Sequence, residues 1–426
     1  MKKSLAIISI LGLGAAGAFA NFPKPITTDT TDVIQMTDAL VMGADNVTVT
    51  HSYNGARHWV GSLDLKGYDG TKLVINNVTG SSSLYFGFNG VTFKNTGGDA
   101  TDTLVITNTG EKFYHMGGFI ADNLTLNIKA GDMYVPSSSG QHRVAAQNNA
   151  TVYWSKAAPS AQLINIVLGT EGSATDTNSA VHYRVATKSY DNRVTLTAYS
   201  GSFTLYDAGG RINFNTSNIY GLTANSYVQD MGINAGATLT IGSGITSKIA
   251  ISNENIVIGN GSTLVINSEE VFYNGSISDT TDSNGYLIGT TVNLSSNRTG
   301  LYYTNAATSA NIVLGANNTF KKIANNAGKT LNLTLNGNVF AVNNAIDFSS
   351  FNLYIADFEN DLVKISTTTE DWASHITAMY MGSALTDLEI KDGFLYSASA
   401  VVPEPAAAAF AAGLLAIALA FYRRRR

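Results

Sequence analysis

Three carboxylates alternate with other residues in one acidic stretch, at Asp357, Glu359 and Asp361. Alternate side chains of a β-strand point to the same face, so this spacing predicts three acidic groups on one face of a strand. Two kinds of chemistry use such groups: paired carboxylates cleave glycosidic bonds, and carboxylate oxygens bind calcium. Isolated acidic runs more commonly lie in solvated turns, and the calcium-binding nonapeptide repeat is absent from the sequence. We therefore expect neither an active site nor a calcium site here.

The other residue types that support catalysis are scattered or missing. His51 and His58 lie beside Trp59, in a stretch that is more typical of the polar surface of an N-terminal cap than of a metal site. The sequence has no HExxH motif and no Gly-x-Ser-x-Gly elbow, and the glycines at 242–244 lack the lysine of a phosphate loop. Cysteine is absent, which excludes disulfides and thiolate chemistry. We expect no catalytic activity, no cofactor and no metal.

Aromatic and basic side chains are two further sources of ligand binding. Tyr183, Tyr302 and Tyr303 would stack on sugar rings if their side chains pointed outward. Four basic residues would bind a polyanion if they shared one face, but they are too dispersed along the chain to predict such a face: Arg143, Lys188, Arg193 and Arg211.

The composition indicates an all-β protein. Charged residues make up only 13% of the chain and apolar residues 44%, whereas ordinary domains contain about 25% charged residues. The scarcity of Lys and Glu disfavours a helical bundle, and the apolar fraction is too high for a disordered chain. A net charge of −5 excludes a broadly basic nucleic-acid-binding protein.

Short repeated phrases predict the architecture that must position these residues. In the segment 331–337, leucine alternates with Asn and Thr, as expected for a strand with one buried and one solvated face. Thr-Leu-x-Ile begins at Thr238 and again 25 residues later at Thr263, with strand-like runs near 248 and 255 between them. Three short strands in about one coil of this length predict a parallel β-helix, or β-solenoid. One or more β-sandwich domains are the alternative, because sandwiches space their strands similarly.

Three segments depart from the repeat. We assign the β-solenoid body to residues 21–344, with an N-terminal cap that ends at about residue 60. Residues 132–162 contain two prolines and little alternation, which predicts an excursion loop. Residues 345–400 are predicted to form a C-terminal cap with a short helix, for which Thr369 is the N-cap and Asp371 lies in the first turn.

The N-terminal 20 residues have the three parts of a secretory signal peptide. Lysines at 2–3 provide the basic start, and an apolar run follows at 5–13. Ala18 and Ala20 fit the small-x-small cleavage pattern, so signal peptidase is an expected partner.

The C-terminal segment 401–426 has a second three-part pattern. Pro403, Glu404 and Pro405 precede the apolar stretch 406–422, whose length is near the lower limit for a transmembrane helix. Four arginines follow, and the positive-inside rule places them in the cytoplasm: Arg423, Arg424, Arg425 and Arg426.

This tail resembles the PEP-CTERM sorting signal of bacterial exported proteins, a segment also labelled an ice-binding protein C-terminal domain. The resemblance implies that an exosortase cuts near the Pro-Glu-Pro motif and that the product reaches the cell surface or extracellular matrix, after transient anchoring in the inner membrane. The body is similar in composition to the β-solenoid passenger regions of autotransporters.

Together these patterns predict an exported structural or adhesion protein of the cell surface or matrix, which binds glycans of the envelope or matrix and no nucleic acid. The alternative is a β-helix enzyme that degrades polysaccharides, either a lyase or a glycoside hydrolase. A groove in which acids converge with Lys or Arg would favour the enzyme.

Overall fold

A computed structural model describes most of the body of the chain. The described residues are 25–34, 37–53, 57–59, 61–77, 84–86, 91–108, 118–129, 143–156, 163–185, 192–207, 212–229, 231–251, 255–274, 300–303, 309–324 and 329–400. Ala18 and Ala20 of the predicted signal peptide and the whole predicted sorting segment 401–426 lie outside them.

The described residues form short β-strands joined by turns. The first nineteen strands are β1 (Thr30–Asp32), β2 (Ala39–Val41), β3 (Thr48–Tyr53), β4 (Arg57–Trp59), β5 (Ser62–Asp64), β6 (Thr71–Asn77), β7 (Leu84–Phe86), β8 (Val91–Lys94), β9 (Thr103–Asn108), β10 (Gly118–Asp122), β11 (Thr125–Ile128), β12 (Arg143–Gln147), β13 (Thr151–Lys156), β14 (Leu163–Leu168), β15 (Ala180–Val185), β16 (Asn192–Ala198), β17 (Ser202–Asp207), β18 (Ile212–Phe214) and β19 (Ser217–Ile219).

The remaining strands have the same short lengths. They are β20 (Ser226–Val228), β21 (Met231–Ile233), β22 (Thr238–Ile241), β23 (Ile249–Ile251), β24 (Asn255–Ile258), β25 (Thr263–Ile266), β26 (Phe272–Asn274), β27 (Gly300–Tyr303), β28 (Ser309–Leu314), β29 (Asn318–Phe320), β30 (Lys322–Ala324), β31 (Lys329–Thr334), β32 (Phe340–Val342), β33 (Phe351–Ile355), β34 (Val363–Lys364), β35 (Ile376–Tyr380), β36 (Ser383–Ala384), β37 (Leu388–Lys391) and β38 (Phe394–Ser397). Helices within the described residues are the 3-10 segments Phe348–Ser350, Trp372–His375 and Ala398–Ala400. No helix in this part of the chain is long and apolar enough to span a bilayer.

The strands stack coil upon coil into a parallel β-solenoid. The first sheet has eleven strands in the order β1-β3-β6-β9-β11-β13-β15-β17-β20-β23-β26, and its neighbours pair in parallel. The second sheet begins as β2-β5-β8-β10-β12-β14-β16, also in parallel. A sandwich would have antiparallel strands, so the solenoid prediction is confirmed and the sandwich alternative is wrong, including the part before residue 160.

The second sheet divides after β16. The first part of β16 pairs with β18 and its last residues pair with β19. One column of stacked strands then continues from β18 through β21, β24, β27 and β30. A second column continues from β19 through β22, β25, β28, β31, β33 and β35. The coil that separates Thr238 from its partner Thr263 contains β22, β23 and β24, which confirms the predicted three strands in these 25 residues.

Antiparallel pairs appear only near the C-terminal end of the described residues. A third sheet, β29-β32-β34-β38-β37, starts with parallel pairs and ends with the antiparallel pairs β34–β38 and β37–β38. Strand β36 folds back on β35 in the same way. The predicted helix begins later than expected: Asp371, not Thr369, is the N-cap of the 3-10 segment Trp372–His375.

The core is a stripe of apolar side chains that runs along the inside of every sheet. In β25, Leu264 is fully buried while Val265 is only partly buried, as the alternation predicts. In the N-terminal half, aromatic rings continue the contact from coil to coil, with centroid distances of 5.0–6.3 Å. The rings belong to Trp59, Phe93, Phe119, Trp154 and Tyr183.

Two sequence-based predictions fail against this core. The segment 132–162, predicted to be an excursion loop, contains β12 and β13. Trp154 on β13 packs against Phe119 in the core. Tyr183 does not point outward to stack on sugars: it is 1% exposed and packs against Trp154.

Candidate functional site

The turns that follow the strands of the second sheet form a polar corner along the solenoid. This corner comprises residues 65–70, 95–102, 123–124, 148–150, 169–179, 199–201, 220–225, 242–248, 267–271, 315–317, 335–339 and 356–362. Asparagine recurs there because it tolerates the left-handed backbone that tight corners require. At 148–150, for example, Asn148 and Asn149 have φ values of 53° and 64°.

Asp176 shows how carboxylates act in the polar corner. Its side chain is fully buried and accepts hydrogen bonds from the amides of Asn148 and Asn149, at 2.8 and 2.9 Å, in the preceding coil. The hydroxyls of Thr170 and Ser179 donate at 2.8 and 2.5 Å. Burial alone would raise the pKa of Asp176, but these four hydrogen bonds outweigh it and lower the pKa below its usual value. The carboxylate therefore joins two coils.

The acidic stretch singled out in the sequence has the same structural use. Asp357 accepts hydrogen bonds from the amides of Leu335 and Asn336 in the preceding coil, both at 2.7 Å. It lies in the turn after β33, and Glu359 and Asp361 are exposed in the same turn. The three carboxylates therefore do not share a strand face, because the strand ends at residue 355. Among the residues that the structure describes, no group of three His, Asp or Glu side chains could hold a metal ion.

The other sequence candidates are separated by the fold. His51 is 2% exposed, and its Nδ1 accepts a hydrogen bond from the amide of Ile34 at 2.8 Å, so it is a core residue and not part of a polar surface. His58 lies on β4, outside the first sheet. Arg143 and Arg193 are exposed on β12 and β16, with β14 between them.

The remaining candidates are not all described. Tyr302 and Tyr303 lie on β27. Lys188 and Arg211 lie outside the described residues, as do the residues of the predicted sorting signal, Pro403, Glu404, Pro405, Arg423, Arg424, Arg425 and Arg426.

An aromatic step in the polar corner is the best candidate site for a ligand. Tyr199 and Tyr220 occupy equivalent positions after β16 and β19, and their rings stack with centroids 5.4 Å apart and planes at 10°. Tyr220 is 55% exposed, which is unusual among the large apolar side chains described here. Sequence reasoning missed this pair, because two tyrosines at the same offset after two strands become a signal only once those strands are known to pair.

Charged groups border the aromatic step. Burial raises the pKa of the Tyr199 hydroxyl, and the Glu171 carboxylate, which accepts a hydrogen bond from it, raises that pKa further. The Arg143 guanidinium acts in the opposite direction and lowers the pKa of the same hydroxyl. A flat ring beside hydrogen-bonding side chains is suited to a ligand that has an apolar face and polar edges.

We predict that acid destabilises the protein through the carboxylates of its turns. Hydrogen bonds lower the pKa of six aspartates: Asp64, Asp69, Asp99, Asp176, Asp347 and Asp387. A lowered folded-state pKa contributes stability above the unfolded value of about 3.9, and this contribution disappears as the pH falls through the folded value. The denaturant midpoint should be nearly constant from pH 7 to 5 and fall below about pH 4. An unchanged midpoint down to pH 2 would contradict this role.

The geometry defines a parallel β-solenoid with a hydrogen-bonded polar corner and one exposed aromatic step. Searches against protein-family profiles, curated proteins and solved structures found no match to this chain. The functional assignment therefore depends on the sequence patterns and the geometry described above.

Proposed function

We propose that this protein is an exported, non-catalytic component of the cell surface or extracellular matrix, which binds glycans through a rigid β-solenoid. The observation that carries the proposal is the continuous ladder of parallel coils, joined at the polar corner by buried carboxylates such as Asp176. Such a ladder gives an elongated body with a large side surface. The described residues contain no cysteine, so this body does not depend on the redox state outside the cell.

The sequence supports export at both ends. A secretory signal pattern at 1–20 and the PEP-CTERM-like segment 401–426 fit signal peptidase and an exosortase as processing partners. In this proposal, the apolar stretch 406–422 anchors the protein in the inner membrane until it is cut. The polar corner offers no support for the alternative polysaccharide-degrading enzyme, because Asp176 and Asp357 bind backbone amides of neighbouring coils.

Replacing Pro403, Glu404 and Pro405 together with alanine tests the sorting proposal. We expect the variant to accumulate uncut in the inner membrane, because the exosortase motif is lost while the anchor remains. Cell fractionation with mass measurement of the recovered protein distinguishes the two forms, and replacing the exposed Thr386 with alanine is the nearby control. Normal mature mass and normal surface delivery of the triple variant would overturn exosortase sorting.

An assay on the purified wild-type protein tests the proposal that the protein has no catalytic activity. We expect no release of reducing ends or unsaturated sugars from neutral and anionic polysaccharides. Steady product formation would overturn it, and loss of that activity in Asp357→Asn would locate the enzyme site at the acidic stretch.

A further inference from the structure

We propose that a slot next to Tyr220 binds one neutral hexopyranose unit of a polysaccharide, stacked on the tyrosine ring. The slot is formed by Tyr220, Gly242 and Asn267, which are the first residues of three successive turns in the polar corner. This inference rests on the proposed function and deepens it, since it assigns the glycan to a particular position and chemical class.

Tyr220 forms the floor of the slot. One face of its ring is covered by Tyr199, which stacks almost parallel to it. The stack fixes the orientation of the ring before any ligand arrives, so little side-chain entropy is lost on binding. With 55% of the residue exposed, the opposite face is available to a ligand.

Gly242 keeps that opposite face open. Ile219 pairs with Ile241, so Gly242 occupies the rung next to Tyr220. A Cβ atom at Gly242 would lie 2.8 Å from the carbonyl oxygen of Tyr220 and 2.9 Å from that of Ile219, closer than real Cβ contacts. The approach of the two backbones therefore requires glycine, and the rung above the ring has no side chain.

Asn267 bounds the slot one rung further along. Its backbone amide nitrogen donates a hydrogen bond to the carbonyl oxygen of Ile241 at 3.0 Å, and Ile241 pairs with Ile266. The Asn267 side chain leans away from Tyr220: a Cβ atom at Gly315, in the following rung, would lie 2.2 Å from its Oδ1. Two strand spacings separate Tyr220 from Asn267, roughly 9.6 Å. A sugar ring that contacts a surface on each side requires a distance of about 7 to 8 Å between the two surfaces, which is twice the optimal carbon–carbon separation.

The polar groups and the charge select the ligand. A pyranose with equatorial substituents presents C–H groups on its flat faces and hydroxyls around its edge, which matches an aromatic floor with a polar border. Asn267 provides the polar boundary of the slot, one rung beyond Gly242. The net charge of −5 repels polyanionic glycans, so a neutral sugar is favoured.

The test uses the full chain, a pentamer of β-(1→4)-linked glucose, and saturation-transfer difference NMR with a concentration series. This sugar has all its hydroxyls equatorial, so its C–H faces are open. We expect saturation of the C–H protons in the wild type, a Kd at least about tenfold higher in Tyr220→Ala, and near wild-type binding in Tyr220→Phe. Tyr354→Ala is the matched control, because Tyr354 lies on β33, in the column that continues from β19, and alternates with the buried Leu353 and Ile355 without forming this slot.

Equal binding by the wild type and Tyr220→Ala would overturn the slot while leaving glycan binding by the protein intact. Absence of wild-type binding to this pentamer and to other neutral oligosaccharides would overturn the slot and the adhesive role together, whereas surface delivery would still stand. Stronger binding to heparin than to the pentamer would overturn the assignment of a neutral ligand.

Discussion

Replacing Leu264 with aspartate should destabilise the solenoid by about 4 kcal/mol or more. Leu264 is fully buried, and its partners in the adjacent coils, Leu239 and Ile312, are also buried. A carboxylate at this position has no cation or amide to pair with in the apolar stripe, so its desolvation is uncompensated. The substitution also removes the apolar contacts of Leu264 with Leu239 and Ile312 in the adjacent coils, and the stability of a solenoid depends on such contacts between neighbouring coils.

Val265→Asp is the matched control for this prediction. Val265 is adjacent in sequence but points to the opposite face, in register with Thr240 and Val313. We expect a cost of about 1 kcal/mol or less, since the new carboxylate remains solvated. Chemical denaturation followed by far-ultraviolet circular dichroism measures both changes. Equal destabilisation by the two variants would show that the inward and outward faces of β25 are wrongly assigned.

Asp176→Ala should cost about 3 to 5 kcal/mol, the second-largest effect of a single change that we expect. The substitution leaves the amides of Asn148 and Asn149 without their acceptor, in a turn where both residues are held in the left-handed region. These two hydrogen bonds are partly buried, so water replaces the lost charged acceptor only incompletely. Relative to the wild type, we expect hydrogen exchange in Asp176→Ala to be faster in residues 143–156 and unchanged in the distant coil around 263–266.

Asp45→Ala provides the comparison. Asp45 also accepts a backbone amide of the next coil, that of Asp69 at 2.8 Å, but this bond is exposed. Water replaces the missing acceptor there, so we expect a loss of about 1 kcal/mol or less. Similar losses in Asp45→Ala and Asp176→Ala would refute the structural importance of the buried carboxylate.

The repeating part of the fold is predictable from the sequence because it follows local rules. Alternation at 331–337 and the 25-residue spacing of Thr238 and Thr263 reflect a period-two strand and a constant coil length, and the structure has both. The N-terminal coils were harder to predict, since aromatic residues such as Trp154 replace the regular Ile, Val and Leu of the core. The division of the second sheet after β16 has no local signature.

The candidate site is less predictable because it depends on register between coils. The alternation of Asp357, Glu359 and Asp361 is visible in the sequence, but the end of β33 at Ile355 places them in a turn. Tyr199 and Tyr220 are separated in sequence by an entire coil, and their stacking follows only when Ala198 is known to pair with Ile219. The open face above Tyr220 depends in turn on the position of Gly242 in the next coil.

The coil-to-coil ladder also determines the order in which the chain can assemble. Each strand of the first sheet after β1 pairs with the strand of the preceding coil, as Val74 in β6 pairs with Thr50 in β3. A folding nucleus can therefore form from the first coils before most of the chain has arrived. A polypeptide that leaves a membrane pore in N-to-C order would add strands one at a time, and each completed coil would oppose backward sliding. Near the end of the described residues, β38 pairs antiparallel with β34 through Lys364 and Phe394. This antiparallel pairing ends the parallel addition of strands in the third sheet.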